Sequence, residues 1–554
     1  MFNLKNAFKQ IFKDKFIVIG LGIVLAYIIF KQVDLIKIIK DDGDGNCGRT
    51  IAQSTKQAYL YVAMFFLWSS YNTHSFYTNK MSEMIFGFRK NINIMHIYAM
   101  LLVNLILTVI LTTITIFVLG KFDNMDRMFA GFVILQFLLS WFLPAVFMIL
   151  LGNSLGRIKN GTLFLFILLV ILYLVSPAAL WVYNTIQGII LLRIPAFFDI
   201  IQNNTYDTGS MYPTTAYAYK WIKILGFIVA AMIPIVAKVF NKNKKVIIVI
   251  LLMLFTSSQI YYFQPDSKTF DYETLMKENI YYYYEMENNN LPSENEEAGF
   301  IITDYNIDID FGRRLKASCE MKISDANCEN YKFTLYHTLK VYEVTNATGE
   351  KLEYERFADF LNITSKGDCS SITIKYKGTV DHYAANNTYV YLPEDYPYYP
   401  IAGYKLVNND INLGKASNSF KANFFVNMNE SGKIYSNLKE TSPGHYEGYA
   451  TGPMFVKGYL ETVTIENITY VCPKYPYYPK YYTMENLNKL TKSLKDIENK
   501  YGYSSEGKLV LVLDYCGIPY GTGYHFGDDY VDLVYANPLI TMRRFEEVFE
   551  NAQD

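Results

Sequence analysis

The chain has 554 residues, 51% hydrophobic and 16% aromatic, with a formal net charge of −1. That balance leaves no electrostatic footprint for a nucleic-acid partner. The sequence holds no GxxxxGK[ST] stretch, which excludes nucleotide hydrolysis through a P-loop in this chain.

"MFNLKNAFKQIFKDK" opens the sequence. Leu4, Phe8, Ile11 and Phe12 share one helical face, and Lys5, Lys9 and Lys13 lie away from it. The pattern predicts an amphipathic helix over 1–15, lying on a membrane surface with its lysines toward anionic lipid headgroups. Apolar runs able to cross hydrocarbon, about 20 residues each, come next. Seven are expected: 16–31, 57–75, 95–119, 128–152, 161–183, 221–240 and 246–262. The first, "FIVIGLGIVLAYIIF", lacks the flanks and cleavage site of a signal peptide. With the N-terminus in the cytoplasm, the basic residues of 76–94, 153–160 and 241–245 agree with the positive-inside tendency, whereas Lys37, Lys40, Arg49 and Lys56 dissent. An odd number of spans places the C-terminal half outside a cell membrane; one miscounted span would place it inside. "GIILLRIPAFFDII" (188–201) is too short to cross and is expected to be re-entrant or interfacial. Pro144, Pro177 and Pro234 predict bends. Asn104 and Gln136 either line a substrate path or hydrogen-bond neighbouring helices.

Between the second and third runs lies "YTNKMSEMIFGFRKNINIMHIYAMLLVNLI" (77–106), with Ser82-Glu83 and then Arg89-Lys90. Six spans behind a surface helix, with this polar insertion, resemble the permease half of a type-2 ABC exporter over about residues 1–240. The resemblance implies that Ser82, Glu83, Arg89 and Lys90 belong to a coupling helix docking into a separate ATPase subunit. It also implies that ATP sits on that partner, with no cofactor in this chain, and that permeases pair as a homo- or heterodimer around an unknown substrate. The alternative is an ordinary polar loop.

Residues 263–300 have no steady period and read as a tether. Beyond them the period becomes two. "YNIDIDF", "YKFTLYHTLKV", "SSITIKYKG", "KANFFVNM" and "YLETVTIENITYV" predict a β-sandwich or saddle over 301–480. In the second of these, Tyr331, Phe333, Leu335, His337, Leu339 and Val341 share the apolar face. "MENLNKLTKSLKDIENKYG" and "KLVLVLDY" predict a small α/β part over 481–554. The expected fold class is therefore an α-helical transmembrane bundle followed by a mainly β extracytoplasmic domain with a small α/β end. "YPYYP" occurs twice; Tyr396, Tyr398, Tyr399, Tyr475, Tyr477 and Tyr478 form either a stiff aromatic binding surface for peptide or sugar, or two structural turns. All six cysteines, at 47, 319, 328, 369, 472 and 516, lie outside the apolar runs. They favour export with disulfides, Cys319 and Cys328 clipping a hairpin, over six unpaired thiols.

The strand order, carried by "YNIDIDFGRRLKASCEMKI", "YKFTLYHTLKVYEV", "SSITIKYKG", "YPYYPIAG" and "IYSNLKETSPGHYEGY", resembles the N-terminal non-catalytic β-saddle of gluzincin aminopeptidases over about 300–500. Fusions of such aminopeptidases with type-2 permeases occur, so the two resemblances support each other. The family's chemistry needs HExxH on a helix, two histidines one turn apart on zinc. Here His74, His96, His337, His382, His445 and His525 include no such pair. "YGTGYHFGDD" (520–529) stands where the resemblance implies the substrate motif GxMEN, without its Met-Glu-Asn. The sequence ends at "FEEVFENAQD", about where the zinc helix is expected. The expectation is a permease subunit with a non-catalytic ectodomain. The alternatives are the membrane-anchored half of a split or degenerate metallopeptidase, and a scaffold or sensor.

Overall fold

The computed structural model describes the chain except residues 1–3, 14, 42–46, 79–88, 123–124, 177–196, 202–217, 240–242, 264–294, 313, 325–327, 381–384, 388–389, 410–411, 414–415, 430–431, 476–481, 514–523, 534–548 and 551–554. It divides into two units. The first joins Met1–Thr205 with Pro213–Lys268; the second joins Tyr206–Tyr212 with Thr269–Asp554.

The first unit is helical. Its helices are Leu4–Ile11, Lys15–Asp41, Cys47–Thr78, Arg89–Phe122, Arg127–Leu155, Gly161–Val175, Ala218–Val239 and Lys244–Phe263. Among the described residues, four stretches are long and apolar enough to cross a membrane: Ile94–Lys121, Arg127–Leu155, Ala218–Ala237 and Lys244–Phe263. They correspond to the third, fourth, sixth and seventh expected runs, so among the described residues four of the seven expected spans are supported and the expectation of seven is not. Among the described residues the first and fifth runs give the shorter apolar helices Val18–Lys31 and Gly161–Val175, the end of the fifth run, 177–183, lying outside them. The second lies in Cys47–Thr78, where Gln57, Ser69, Ser70 and Thr73 lower the hydropathy. Those four side chains are buried against other parts of the unit. The parity argument for an exported second unit therefore finds no support in the helix count.

Packing in this unit follows small residues. The sequence Gly152-Asn-Ser-Leu-Gly156 is a GxxxG stripe, the pattern that lets helix backbones approach closely. A Cβ on Gly152 would lie 2.9 Å from the Phe66 carbonyl oxygen. Ser69 Oγ donates to the Ile149 carbonyl at 2.7 Å across the same seam. The Leu4–Ile11 helix buries Ala7 and Ile11, and Trp68 Nε1 donates to the Ile11 carbonyl at 3.0 Å. Leu4 and Phe12, expected on its apolar face, are 39% and 43% exposed. Leu138–Phe142 forms a π-helical turn, its wider ring closed by the Leu143 N–H on the Leu138 carbonyl. Pro144, which has no N–H to give the Ser140 carbonyl, follows at once.

The second unit is mainly β. In chain order it carries β1 (Ile301–Phe311), β2 (Leu315–Ser324), β3 (Asn330–Thr334), β4 (Lys340–Asn346), β5 (Tyr354–Phe357), β6 (Phe360–Thr364), β7 (Ser371–Gly378), β8 (Val390–Leu392), β9 (Ile401–Ala402), β10 (Asn408–Asn409) and β11 (Asn412–Leu413). There follow β12 (Ala422–Met428), β13 (Tyr435–Ser436), β14 (Lys439–Ser442), β15 (His445–Ala450), β16 (Phe455–Lys457), β17 (Leu460–Ile465), β18 (Ile468–Pro473), β19 (Leu509–Leu511), β20 (Tyr524–Phe526) and β21 (Tyr530–Leu533). The largest sheet has seven strands in the order β14-β15-β12-β1-β2-β7-β4. Strict alternation turns Tyr305, Ile307 and Ile309 of β1, and Phe424 and Val426 of β12, inward. Tyr305 and Phe424 stack at 4.6 Å across the parallel pair. The order β5-β6-β3-β9 makes a four-stranded sheet and β13-β16-β8 a three-stranded one.

The final sheet, β17-β18-β19-β21-β20, is mixed. β18, β19 and β21 run parallel, and β20 closes the edge antiparallel to β21. The crossover from β18 to β19 is the helix Met484–Tyr501, capped by Thr483 and ended by Gly502 in the left-handed conformation at φ 73°. Leu487, Leu490, Leu494 and Ile497 fall on one stripe of that helix and pack with Tyr470, Val510 and Val531 of the sheet.

Three expectations change. "YKFTLYHTLKV" is not one strand: β3 belongs to the four-stranded sheet and β4 to the seven-stranded one. The crossing between them buries Leu335, Tyr336 and Leu339 together, which ends the alternation, and Arg356 Nη2 donates to the Leu335 and Tyr336 carbonyls at 2.9 and 2.8 Å. The tether does not extend to 300, because Glu296 and Tyr404 exchange backbone hydrogen bonds of 2.8 Å each way. Cys319 and Cys328 form no disulfide. Cys319 lies mid-strand in β2 with its side chain in the core, and the Cys328 thiol donates to the Gly299 carbonyl at 3.4 Å. Cys369 and Cys472 are also free and buried.

Candidate functional site

In the helical unit, Ser82 and Glu83 lie outside the described residues, and Arg89 and Lys90 begin the Arg89–Phe122 helix, their side chains likewise outside them. Further along that helix Asn104 is fully buried. Its Oδ1 accepts from Tyr61 Oη at 2.7 Å, and its Nδ2 donates to the Phe142 carbonyl at 3.2 Å. Gln136, 1% exposed, donates to Ser140 Oγ at 3.0 Å. Asn104 thus hydrogen-bonds neighbouring helices, whereas the Gln136 contact lies within its own helix, Arg127–Leu155.

A second polar cluster was not singled out by sequence. Arg157 Nη2 donates to Asn153 Oδ1 at 2.8 Å, and Asn153 Nδ2 donates to Thr73 Oγ1 at 3.1 Å. His74, beside Thr73, stacks on Phe164 at 4.1 Å. The GxxxG stripe was the available signal, since close backbones bring these side chains together.

In the β unit, Tyr396, Tyr398 and Tyr399 are 2%, 0% and 0% exposed. They present no stacking surface, and the structural turn is the reading that describes 396–400. Tyr398 Oη donates to the Pro453 carbonyl at 2.6 Å, and Tyr399 Oη donates to the Glu394 carbonyl at 3.3 Å. Tyr475 is buried and stacks on Tyr459 at 5.7 Å; Tyr477 and Tyr478 lie outside the described residues. His337 is not a strand residue. Its backbone N–H donates to Asp359 Oδ1 at 2.6 Å, and its Nδ1 lies 3.2 Å from the same oxygen.

The chemically richest cluster joins the loop after β8 to the edge strand β20. His525 Nε2 lies 3.0 Å from Glu394 Oε1, with the two side chains 19% and 7% exposed. Thr451 Oγ1 donates to Glu394 Oε1 at 3.2 Å, and Asn437 Nδ2 approaches Oε2 at 3.4 Å. Tyr530 lies under the imidazole, ring centroids 4.7 Å apart, and its hydroxyl accepts from the Glu394 N–H at 3.4 Å. Tyr391 Oη donates to the buried Asp532 at 2.5 Å. Gly527 allows the hairpin to fold under His525, because a Cβ there would meet Nε2 at 2.4 Å. Charges ring the hairpin. A hydrogen bond from Lys421, 2.7 Å away, holds the Asp528 carboxyl below its ordinary range. Burial, and after the attraction of Lys421 the repulsion of Asp528, act on Asp529, whose carboxyl is raised. Burial lowers the neighbouring Lys508 ammonium. The arrangement is an anchored carboxylate with an imidazole against it. The sequence pointed to 520–529; nothing in it pointed to Glu394, which reaches His525 only through the tertiary fold.

No protein-family model matches the chain, and no curated protein matches it by sequence. Among solved structures, it is similar to native leukotriene A4 hydrolase from Saccharomyces cerevisiae, with 10% identity, 45% of this chain and 44% of that chain covered, and a TM-score of 0.29. An M1 zinc metallopeptidase from Deinococcus radiodurans gives 10% identity, 47% and 66% coverage and a TM-score of 0.32. An aminopeptidase N family protein from Idiomarina loihiensis gives 10% identity, 41% and 41% coverage and a TM-score of 0.29. The match spans less than two thirds of each of those chains.

Proposed function

We propose that the chain is the permease subunit of an ABC-type exporter, working with separate ATPase subunits and carrying a non-catalytic, aminopeptidase-like domain that binds substrate or a partner. The observation that carries the reading is the order of the helical unit. A short amphipathic helix is pinned to the bundle by Trp68, and the polar segment 79–88 falls between the helices Cys47–Thr78 and Arg89–Phe122. Those two helices are tied by the Tyr61–Asn104 hydrogen bond, which supports a reading in which displacing the segment between them moves both. In this reading ATP binding closes the partner ATPases, displaces Ser82–Lys90, and reshapes the spans of a permease dimer in the cell membrane. The β unit contributes recognition: the sequence has no HExxH, and Glu394 is engaged by His525, Thr451 and Asn437.

The test is affinity purification of the full chain from solubilised membranes, with mass spectrometry of what accompanies it. A P-loop ATPase is expected, and Glu83→Lys is expected to uncouple substrate-stimulated ATP hydrolysis from transport. Unchanged transport by that variant would sink the coupling role. A second reading draws on the mixed sheet with its antiparallel edge strand beside Glu394: the membrane-anchored half of a split metallopeptidase. It predicts that an HExxH protein accompanies the chain and no ATPase does.

A further inference from the structure

The outward face of the seven-stranded sheet carries one continuous polar rung. His445, Asn427, Asp308, Ser318, Lys375 and Glu343 stand side by side on six successive strands, each in register with the next. Lateral links join His445, Asn427 and Asp308 at one end and Lys375 and Glu343 at the other. Asn427 Nδ2 donates to Asp308 Oδ1 at 2.8 Å, and His445 Nδ1 lies 2.6 Å from Asn427 Oδ1. The Asn427 amide nitrogen is committed to Asp308, so its oxygen is the acceptor and His445 donates from Nδ1, leaving Nε2 for another group. At the other end Lys375 Nζ reaches Glu343 at 3.3 Å. The rung lies along the floor of a cleft of about 670 Å³ that Asp310, Lys316 and Tyr342 also line. That volume lies within the range of small-ligand sites. Tyr342 is 46% exposed at its β4 end.

We propose that this cleft is a binding site for a neutral oligosaccharide. Three features select that chemistry. The charged lining is Asp308, Asp310 and Glu343 against Lys316 and Lys375, a net of one negative charge, too small a field to recruit a polyanion or a polycation. His445, Asn427 and Asp308 are short side chains held by one another, which lowers the entropy lost on binding and leaves the second Asp308 oxygen and His445 Nε2, with Ser318 Oγ beside them, for hydroxyl groups. Tyr342, with Lys377 Nζ 5.7 Å from its ring centroid, offers its other face as a flat apolar wall of the kind that stacks on a sugar ring. An ordinary solvated sheet face is also polar; here His445, Asn427 and Asp308 are in addition tied to one another across three adjacent strands. The inference concerns this sheet alone and is independent of any ATPase partner.

The test uses the full chain in detergent on an array of oligosaccharides of glucose, mannose, galactose and N-acetylglucosamine, followed by titration of the strongest binder. Asp308→Ala and Asn427→Ala, both exposed positions, are expected to weaken binding by tenfold or more. Ser318→Trp fills the cleft without removing a rung hydrogen bond and is expected to abolish binding. Lys322→Ala, on the same face but outside the cleft, is expected to bind as the parent chain does. A silent array, equal binding by all variants, or capture of a peptide panel in place of sugars would each overturn the proposal.

Discussion

A Cβ placed on Gly156 would lie 2.5 Å from the carbonyl oxygen of Ser70, and one on Gly152 would lie 2.8 Å from Ser70 Oγ. The helices Arg127–Leu155 and Cys47–Thr78 thus touch backbone to backbone, with Ser70 set against both glycines. Gly152→Ala and Gly156→Ala are expected to destabilise the helical unit by about 1–3 kcal/mol each, the cost of overpacking a close seam. Gly161 has nothing within 4 Å of its Cβ position, so Gly161→Ala is the matched control and is expected to be neutral or slightly stabilising. Thermal unfolding of the full chain in detergent compares the three.

The Tyr61–Asn104 hydrogen bond joins two helices at a fully buried position, with Thr108 Oγ1 3.1 Å from the same phenol oxygen. Tyr61→Phe and Asn104→Ala each leave part of this triad without a partner. A double-mutant cycle is expected to give a coupling of about 0.6 kcal/mol, with about 1.7 as the upper end for hydrogen bonds between helices in a membrane protein. A coupling indistinguishable from zero would mean that the pair does not tie the helices that flank residues 79–88.

The β half was readable wherever one face of a strand is buried and the other wet. "YNIDIDF" and "KANFFVNM" alternate in sequence and alternate in burial as β1 and β12. Reading failed where a segment buries itself on several sides. Leu335, Tyr336 and Leu339 sit between two sheets, and Tyr396, Tyr398 and Tyr399 are held by packing and by carbonyls as distant in sequence as Pro453. Tyrosine's polar tip makes an inward tyrosine look like an outward one until its acceptor is known. The same limit explains the span count. In Cys47–Thr78 the polar residues face other parts of the protein rather than water, so hydropathy alone does not separate a membrane helix from a buried one. Of the Glu394 cluster only the His525 hairpin could be anticipated, because the carboxylate comes from a loop 131 residues away in the sequence.

Asp529 gives a pH-dependent prediction. Burial raises its folded-state carboxyl above the ordinary aspartate range, and the Asp528 charge adds to the shift while Lys421 opposes it. The folded state therefore binds that proton more tightly than the unfolded one. At pH above the folded value the ionised Asp529 costs stability; the cost fades as pH falls through that value and is gone below the unfolded one. Asp529→Asn is expected to stabilise the chain at neutral pH, by less than about 1 kcal/mol for a partly exposed charge, and to lose its advantage near pH 4. Denaturant titrations of both chains across that interval decide it, and an advantage that persists at the acid end would assign the effect to packing.

Thiol chemistry separates the observed free cysteines from the expected disulfides. Burial pushes the Cys472 thiol up to about 12, with the Glu461 charge adding to it, and burial first, then the Glu320 and Asp308 charges, raises Cys319 well above the ordinary thiol range. The thiolate is the reactive form, so both are poor nucleophiles while the chain is folded. Cys328 is partly exposed. Under native alkylation followed by peptide mass spectrometry, Cys328 is expected to react first, and Cys319, Cys369 and Cys472 only after denaturation. The same digest without reductant tests the pairing directly. A peptide joining Cys319 to Cys328 would require β2 to give up its core-facing thiol, and with it the alternation that buries Ala317, Cys319 and Met321 on one side of the sheet. Free thiols at all four positions leave that strand as described and remove these four cysteines as an argument for an exported β unit.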